Sequence, residues 1–277
     1  MSALDRPPTG VSEHERAFFE AHGWLVVRGV LGAVEVGALA EACERLMPHV
    51  VARGAVGGAA EGIPQCVRPS AYDAAFRAWL AHRRPWEIAA ALFGDAASGV
   101  QLLQDALLVK PAGSPATLAW HRDRSYLGYV DPERSIAVRL AISACTEASG
   151  CMWVLDGSHA WEDAGRVPAL ERVDAAAFAQ VADGLDPAAR ARLETARDPI
   201  LIAPGDVSFH DGRTLHASFA NTAREARRTL VAHVCPGGAR LVPERLAPGL
   251  APYFPTTAEG RLAPEAFPNL PDRKSVV

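Results

Sequence analysis

Over roughly the first third of the chain, apolar residues recur three to four positions apart, the spacing of one helix face. Ser12 with Glu15 three residues later forms a capping-box pattern ahead of Phe18 and Phe19, and Gly23 supplies a stop, so a helix is predicted over 12–22. The short strand WLVVRGV follows. Val36, Leu39, Ala40, Cys43, Leu46 and Met47 then mark a second amphipathic helix over about 33–48. Residues 54–62 are Gly-rich and read as a loop. Residues 71–93 read as two helical pieces separated at Pro85, because proline disfavours helix in the residue before it.

From about residue 99 the period changes to two, with strands predicted at 100–110, 118–123, 136–145, 151–154, 199–203, 206–210, 213–219 and 228–235. Pro204-Gly205-Asp206 and Asp156-Gly157-Ser158 are turn signals between them. Several short strands behind a helical preface predict a mainly β protein built on a jelly roll, two facing sheets with room between them for a site. The expected layout is a single domain: a mostly helical preface over 1–98, a core over 99–240, and a tail over 241–277. Ala-rich, helical text from 159 to 198 interrupts the core and is expected to be a lid insertion.

Composition narrows the partners. Hydrophobic residues make up 49% and charged residues 22% of the 277, and no apolar run approaches the length of a membrane span, so no membrane role is expected. A net charge of −4 without blocks of like charge gives no footprint for nucleic acid. The start, MSALDRPPTG, has neither a basic nor an apolar leader segment, and Cys43, Cys66, Cys145, Cys151 and Cys235 are odd in number with no C-x-x-C spacing. Reduced thiols in a cytoplasm are expected, with a small-molecule partner; monomer and homodimer both stay open.

The candidate chemistry lies in W-H-R-D at 120–123. In an extended strand His121 and Asp123 would project from one face, about 6 to 7 Å apart along the backbone. A second histidine, His216, follows His121 by 95 residues, and Arg227 follows His216 by eleven. Two imidazoles and a carboxylate can cap one face of an octahedral metal and leave three positions open, the arrangement of non-haem Fe(II) oxygenases. A buried arginine suits the far carboxylate of a dicarboxylic acid, which its planar fork binds bidentately. By itself H-x-D is a common triplet; the order of strands, turn, histidine and arginine in PGDVSFHDGRTLHASFANTAREARRTLVAHV gives it weight. Arg224 reads as an exposed neighbour.

These pieces together resemble the phytanoyl-CoA dioxygenase family of Fe(II)- and 2-oxoglutarate-dependent oxygenases. HGWLVVRGVL, LLVKPAG, WHRD, SGCMWVLDGSH, PGD, LHASFAN and R-R-T-L match in order and spacing through most of the chain. The resemblance implies a double-stranded β-helix, a jelly-roll relative of the cupins. It implies His121, Asp123 and His216 as iron ligands, and Arg227 with Ser218 as the anchor of the 2-oxoglutarate C5 carboxylate. Gln104 falls where the family often places a polar contact, although a polar residue on the barrel wall is an equal reading. His210 competes with His216, which the family spacing favours; His159 is expected to close a turn and His233 to lie in the core.

The chain departs from the family in three places. Where many members read V-W-L-A, this one has Val138-Arg139-Leu140-Ala141, and an inward arginine would need a carboxylate of co-substrate or substrate unless it points out of the barrel. Asp156 replaces a proline before G-S-H, and Arg122 sits inside the metal triplet. The activity implied couples decarboxylation of 2-oxoglutarate by O2, giving succinate and CO2, to oxidation of an unactivated C–H bond. Asp123 points to hydroxylation, desaturation or ring formation rather than halogenation, since halogenating relatives lack this carboxylate. The substrate, expected to be a secondary metabolite, would be lined by Tyr126, Tyr129, Arg139 and Trp161. The rival readings are a non-catalytic metal- or ligand-binding jelly roll and a cupin-type enzyme that works without 2-oxoglutarate.

Overall fold

Alternation along the strands builds one sheet with two unlike faces. In the computed structural model, which describes residues 10–52, 63–161, 191, 197–246 and 251–271, the helices are α1 (Glu13–His22), α2 (Ala33–Leu46), α3 (Ala74–Ala81), α4 (Arg84–Leu92) and the single turn α5 (Arg124–Leu127). The strands begin with β1 (Trp24–Val27), β2 (Val51–Ala52), β3 (Pro64–Val67), β4 (Val100–Lys110), β5 (Leu118–His121), β6 (Val130–Asp131) and β7 (Ile136–Ala141). They continue with β8 (Met152–Leu155), β9 (Arg197–Ile200), β10 (Val207–Asp211), β11 (His216–Ser218), β12 (Arg227–Pro236), β13 (Arg240–Leu241) and β14 (Asn269–Leu270).

The larger sheet runs β1-β10-β7-β12-β4-β3-β2, with β14 also paired to β4, and the smaller runs β5-β11-β8-β9. This is the antiparallel double-stranded β-helix. On the outer face of the large sheet Val207, Phe209, Val138, Leu140, Leu230, Ala232, Leu107 and Val109 join Phe19, Leu39, Phe76 and Trp86 of the helices in one apolar cluster. The intervening residues point the other way, toward the small sheet. Those positions are Ser208 and His210 on β10, Ala137 and Arg139 on β7, Arg227, Thr229, Val231 and His233 on β12, and Gln104, Ala106, Leu108 and Lys110 on β4. A bulge where β4 meets His233 and Val234 shifts the phase, so Val100 and Leu102 also reach the helix side.

The strands predicted from residue 99 onward are present with some ends moved: 100–110 keeps its bounds, 228–235 extends to Arg227–Pro236, and 136–145 is strand only over Ile136–Ala141. Three expectations change. Helices α3 and α4 part at His82 and Arg83, and Pro85 lies in the first turn of α4, where a missing N–H costs nothing. The mostly helical preface holds the expected strand WLVVRGV as β1 and also β3, which was not expected, and both pair into the large sheet. The tail folds back: β14 pairs with β4, and Phe254, Leu262 and Phe267 pack around Leu103 and Tyr129. The Gly-rich loop at 54–62 and nearly all of the lid expected at 159–198 lie outside the described residues.

The helix layer is anchored by Trp86, 1% exposed, whose indole N–H donates to the Leu80 carbonyl at 3.0 Å. Trp86→Ala is expected to cost ~3–5 kcal/mol, as large-to-small changes in a sealed core do, and urea unfolding would measure it. No helix among the described residues is long and apolar enough to cross a membrane.

Candidate metal centre

The small sheet brings the two histidines together. His216 on β11 is the direct register partner of His121 on β5, so the side chains leave the same face of an antiparallel pair, with ring centroids 4.1 Å apart. Asp123 arrives by another route than expected. The strand stops at His121, and Asp123, at φ −62° and ψ −33°, opens the turn α5, which folds its carboxylate back toward the rings. Asp123 Oδ1 lies 3.7 Å from His121 Nε2 and 3.6 Å from His216 Nε2. Those separations exceed a direct hydrogen bond, but the three ligand atoms fall within 4.8 Å of one another, close enough to share one ion. Burial and the nearby His121 hold the His216 imidazole well below its usual range, which keeps it neutral. Its Nδ1 faces the Thr214 carbonyl at 3.0 Å, leaving Nε2 as the lone pair for a metal.

The other carboxylate oxygen is also held. His210 Nε2 lies 3.0 Å and His233 Nε2 3.2 Å from Asp123 Oδ2, and the Tyr126 hydroxyl donates to Oδ1 at 2.5 Å. Burial alone would raise the Asp123 acid, yet His233, His216 and the His210 hydrogen bond keep it well below the ordinary carboxylate range. His210 therefore orients the carboxylate rather than replacing His216. Gln104 touches none of the three ligands; its amide lies 3.2 Å from His233 Nδ1, behind the group that faces Asp123.

Farther along the same interior, Arg227 is 2% exposed and donates from Nη1 to the Gly150 carbonyl. Its register partner Lys110, fully buried, donates to Ser218 Oγ at 3.0 Å and to the Phe219 carbonyl. Burial, then Arg227 and Arg139, pull the Lys110 ammonium down to about 7, and burial with Arg139 brings Arg227 down to about 10. Arg224 is exposed. The His121–Asp123–His216 group and a buried basic end thus lie between the same two sheets.

A model of the family described as phytanoyl-CoA dioxygenase (PhyH) matches residues 19–229. The chain belongs to the phytanoyl-CoA dioxygenase family. Members of the phytanoyl-CoA dioxygenase family are non-haem iron enzymes that use 2-oxoglutarate and O2, and the His–Asp–His group has the donor set that iron requires. The protein named "Phytanoyl-CoA dioxygenase 1" from Oryza sativa subsp. japonica is 26% identical over 138 residues, a match that spans 48% of this chain but 44% of that protein. Among solved structures, the non-haem alpha-ketoglutarate-dependent carbocyclase SnoK from nogalamycin biosynthesis aligns with a TM-score of 0.75 at 22% identity, covering 96% of this chain and 99% of its own. The epimerase SnoN, in complex with Fe3+, alpha-ketoglutarate and nogalamycin RO, aligns with a TM-score of 0.68 at 23% identity over 92% and 96%. At these identities the likeness is one of fold.

The other singled-out residues divide. Arg139 lies on the inner face of β7, between Ser208 of β10 and Val231 of β12. Tyr126 belongs to the metal group, whereas Tyr129 packs edge-on to Phe254 at 4.8 Å in the cluster behind it. Trp161 packs with Trp120, Leu155 and Leu215. His159 faces the Glu20 carbonyl at 3.1 Å, the structural role expected of it. Asp156, the family proline replaced, accepts from Trp24 Nε1 and meets His22, fastening β1 and α1 to the end of β8. Sequence reading missed Lys110, and it placed His233 in the core. Both carried a signal: His233 is in phase with Arg227 along β12, and Lys110 ends a strand that runs opposite it.

Proposed function

We propose that this chain is an Fe(II)- and 2-oxoglutarate-dependent oxygenase that hydroxylates, or otherwise oxidises, an unactivated C–H bond of a small molecule, a secondary metabolite. His121, Asp123 and His216 would hold the iron; Arg227, with Ser218, would anchor the C5 carboxylate of 2-oxoglutarate. The observation that carries the reading is the pairing of the metal group and the buried Arg227 on facing walls of one interior. Iron, once bound, supplies the oxygen chemistry, using O2 and releasing succinate and CO2. The protein supplies position and dryness: Thr214 sets the His216 tautomer, His210 and Tyr126 hold the carboxylate, and the apolar helix layer seals the outer side of the sheet. The five described cysteines are free and buried, which suits a reducing compartment such as the cytoplasm.

Adding Fe(II) and 2-oxoglutarate under argon should produce the weak visible metal-to-ligand band of the chelate. A non-catalytic jelly roll or a cupin that ignores 2-oxoglutarate gives no such band. Screening natural-product scaffolds for substrate-dependent succinate release then separates hydroxylation, where the product gains one oxygen, from the ring closure named for SnoK, where it loses two hydrogens.

Co-substrate affinity should depend on pH through Lys110. Its folded value of about 7 is below the ordinary lysine range, and a bound dianion nearby raises it, so binding takes up a proton. Affinity is therefore expected to be level below pH 7 and to weaken above it, by up to about tenfold per pH unit. Calorimetric titration in two buffers of different ionisation heat would show the proton.

A further inference from the structure

The interior face of the large sheet carries more positive charge than one carboxylate requires. Arg227 on β12 and Lys110 on β4 stand opposite each other, and Arg139 on β7 pairs with Val231 of β12 on one side and Ser208 of β10 on the other. Arg139 therefore stands partway between the Arg227 end and His233 at the metal end. It is 5% exposed, and its side chain makes no hydrogen bond or ion pair among the described residues. The titratable groups around it are Cys145, Cys151 and Asp123, which can carry negative charge, and the basic Lys110, Arg227 and His210. Burial pushes the Cys145 thiol up and the Cys151 thiol to about 11, so neither offers a negative charge, while Asp123 is engaged by His210, His233 and Tyr126.

On the same face Arg227 Nε, Thr229 Oγ1 and Ser208 Oγ are buried without hydrogen-bond partners among the described residues. Each such group costs stability when unmatched, and an uncompensated buried cation costs more. What they have in common with Arg139 is the inner face of the large sheet. A tryptophan, the residue many relatives carry at this strand position, would present a ring with one neutral N–H donor and no charge. A guanidinium presents a second fork.

We propose that Arg139 is a second guanidinium for the 2-oxoglutarate dianion, which Arg227 and Arg139 then grip together. The inference rests on the oxygenase reading above. It makes the pocket selective for a doubly charged 2-oxo acid, because the two buried guanidinium forks are matched by two negative charges and left uncompensated by one.

The test uses Arg139→Gln and Arg139→Trp, each titrated with 2-oxoglutarate as the Fe(II) form under argon, and melted without metal or ligand. Both substitutions should weaken 2-oxoglutarate binding by about tenfold to a hundredfold, the worth of a charge-assisted hydrogen bond or two. Fe(II) affinity in the absence of co-substrate should stay within about twofold of wild type, and the ligand-free melting temperature should hold or rise, because an uncompensated buried charge has gone. Arg139→Lys, which keeps the charge without the fork, should fall between. Wild-type co-substrate affinity in the Gln variant overturns the proposal, as does a lowered ligand-free melting temperature with an undiminished upshift on adding 2-oxoglutarate. A wild-type protein that binds Fe(II) yet shows neither band nor upshift with 2-oxoglutarate overturns the oxygenase reading instead.

Discussion

Asp123→Ala is expected to remove both iron binding and turnover. Losing an outer partner of a metal site costs roughly 10–100-fold in affinity, and under the proposed function Asp123 would be one of the three inner ligands, so the loss should exceed that range. Its place cannot be taken by water at little cost, because the carboxylate is 1% exposed and is the point on which four histidines and Tyr126 converge. Without it, His210, His233 and the Tyr126 hydroxyl lose their acceptor, at about 1–3 kcal/mol for each buried group left unmatched. The variant should therefore melt lower as well as bind no iron. Titration with Fe(II) and a thermal melt would check both; iron affinity near wild type would remove Asp123 from the metal set.

Arg227→Ala should act at the other end and leave the metal alone. Truncating one partner of a buried charge pair costs about 2–5 kcal/mol, which weakens 2-oxoglutarate binding about 30-fold to several thousandfold. Fe(II) affinity should persist, since Arg227 pairs with Lys110 on β4 and not with any ligand. Arg227→Lys should recover little, because an ammonium lacks the planar fork. The measurement is the visible band at rising co-substrate concentration, with excess 2-oxoglutarate restoring it in the Ala variant. A band that forms as in wild type would take the anchor away from Arg227.

The strands were legible because they follow from a simple periodicity, and the candidate ligands because the family resemblance singles them out. Alternation marked β4, β7, β10 and β12, and His121, Asp123 and His216 lie together in the structure. Asp123 was placed correctly for an incomplete reason: an H-x-D triplet reads as strand, whereas the chain turns immediately after His121, which no period-two pattern distinguishes. The histidines around Asp123 Oδ2 were hidden for a different reason. His210 and His233 belong to strands whose pairing brings them to the site, and register between distant strands is not written in either strand alone. The short strands β2, β6, β13 and β14, two residues each, are too brief to show any period. Tyr129 was singled out for lying just beyond the metal strand, but nearness in sequence does not fix direction, and its ring turned to Phe254.

The two-faced sheet also bears on how such a protein can change. Val138 and Leu140 stay locked against the helices whatever occupies the position between them. The scaffold can thus exchange an aromatic wall for a guanidinium at residue 139 without renegotiating its core. Alternate residues of one strand are free to evolve under separate demands, one for foldability and one for chemistry, and new reactivity can be sampled a single codon at a time.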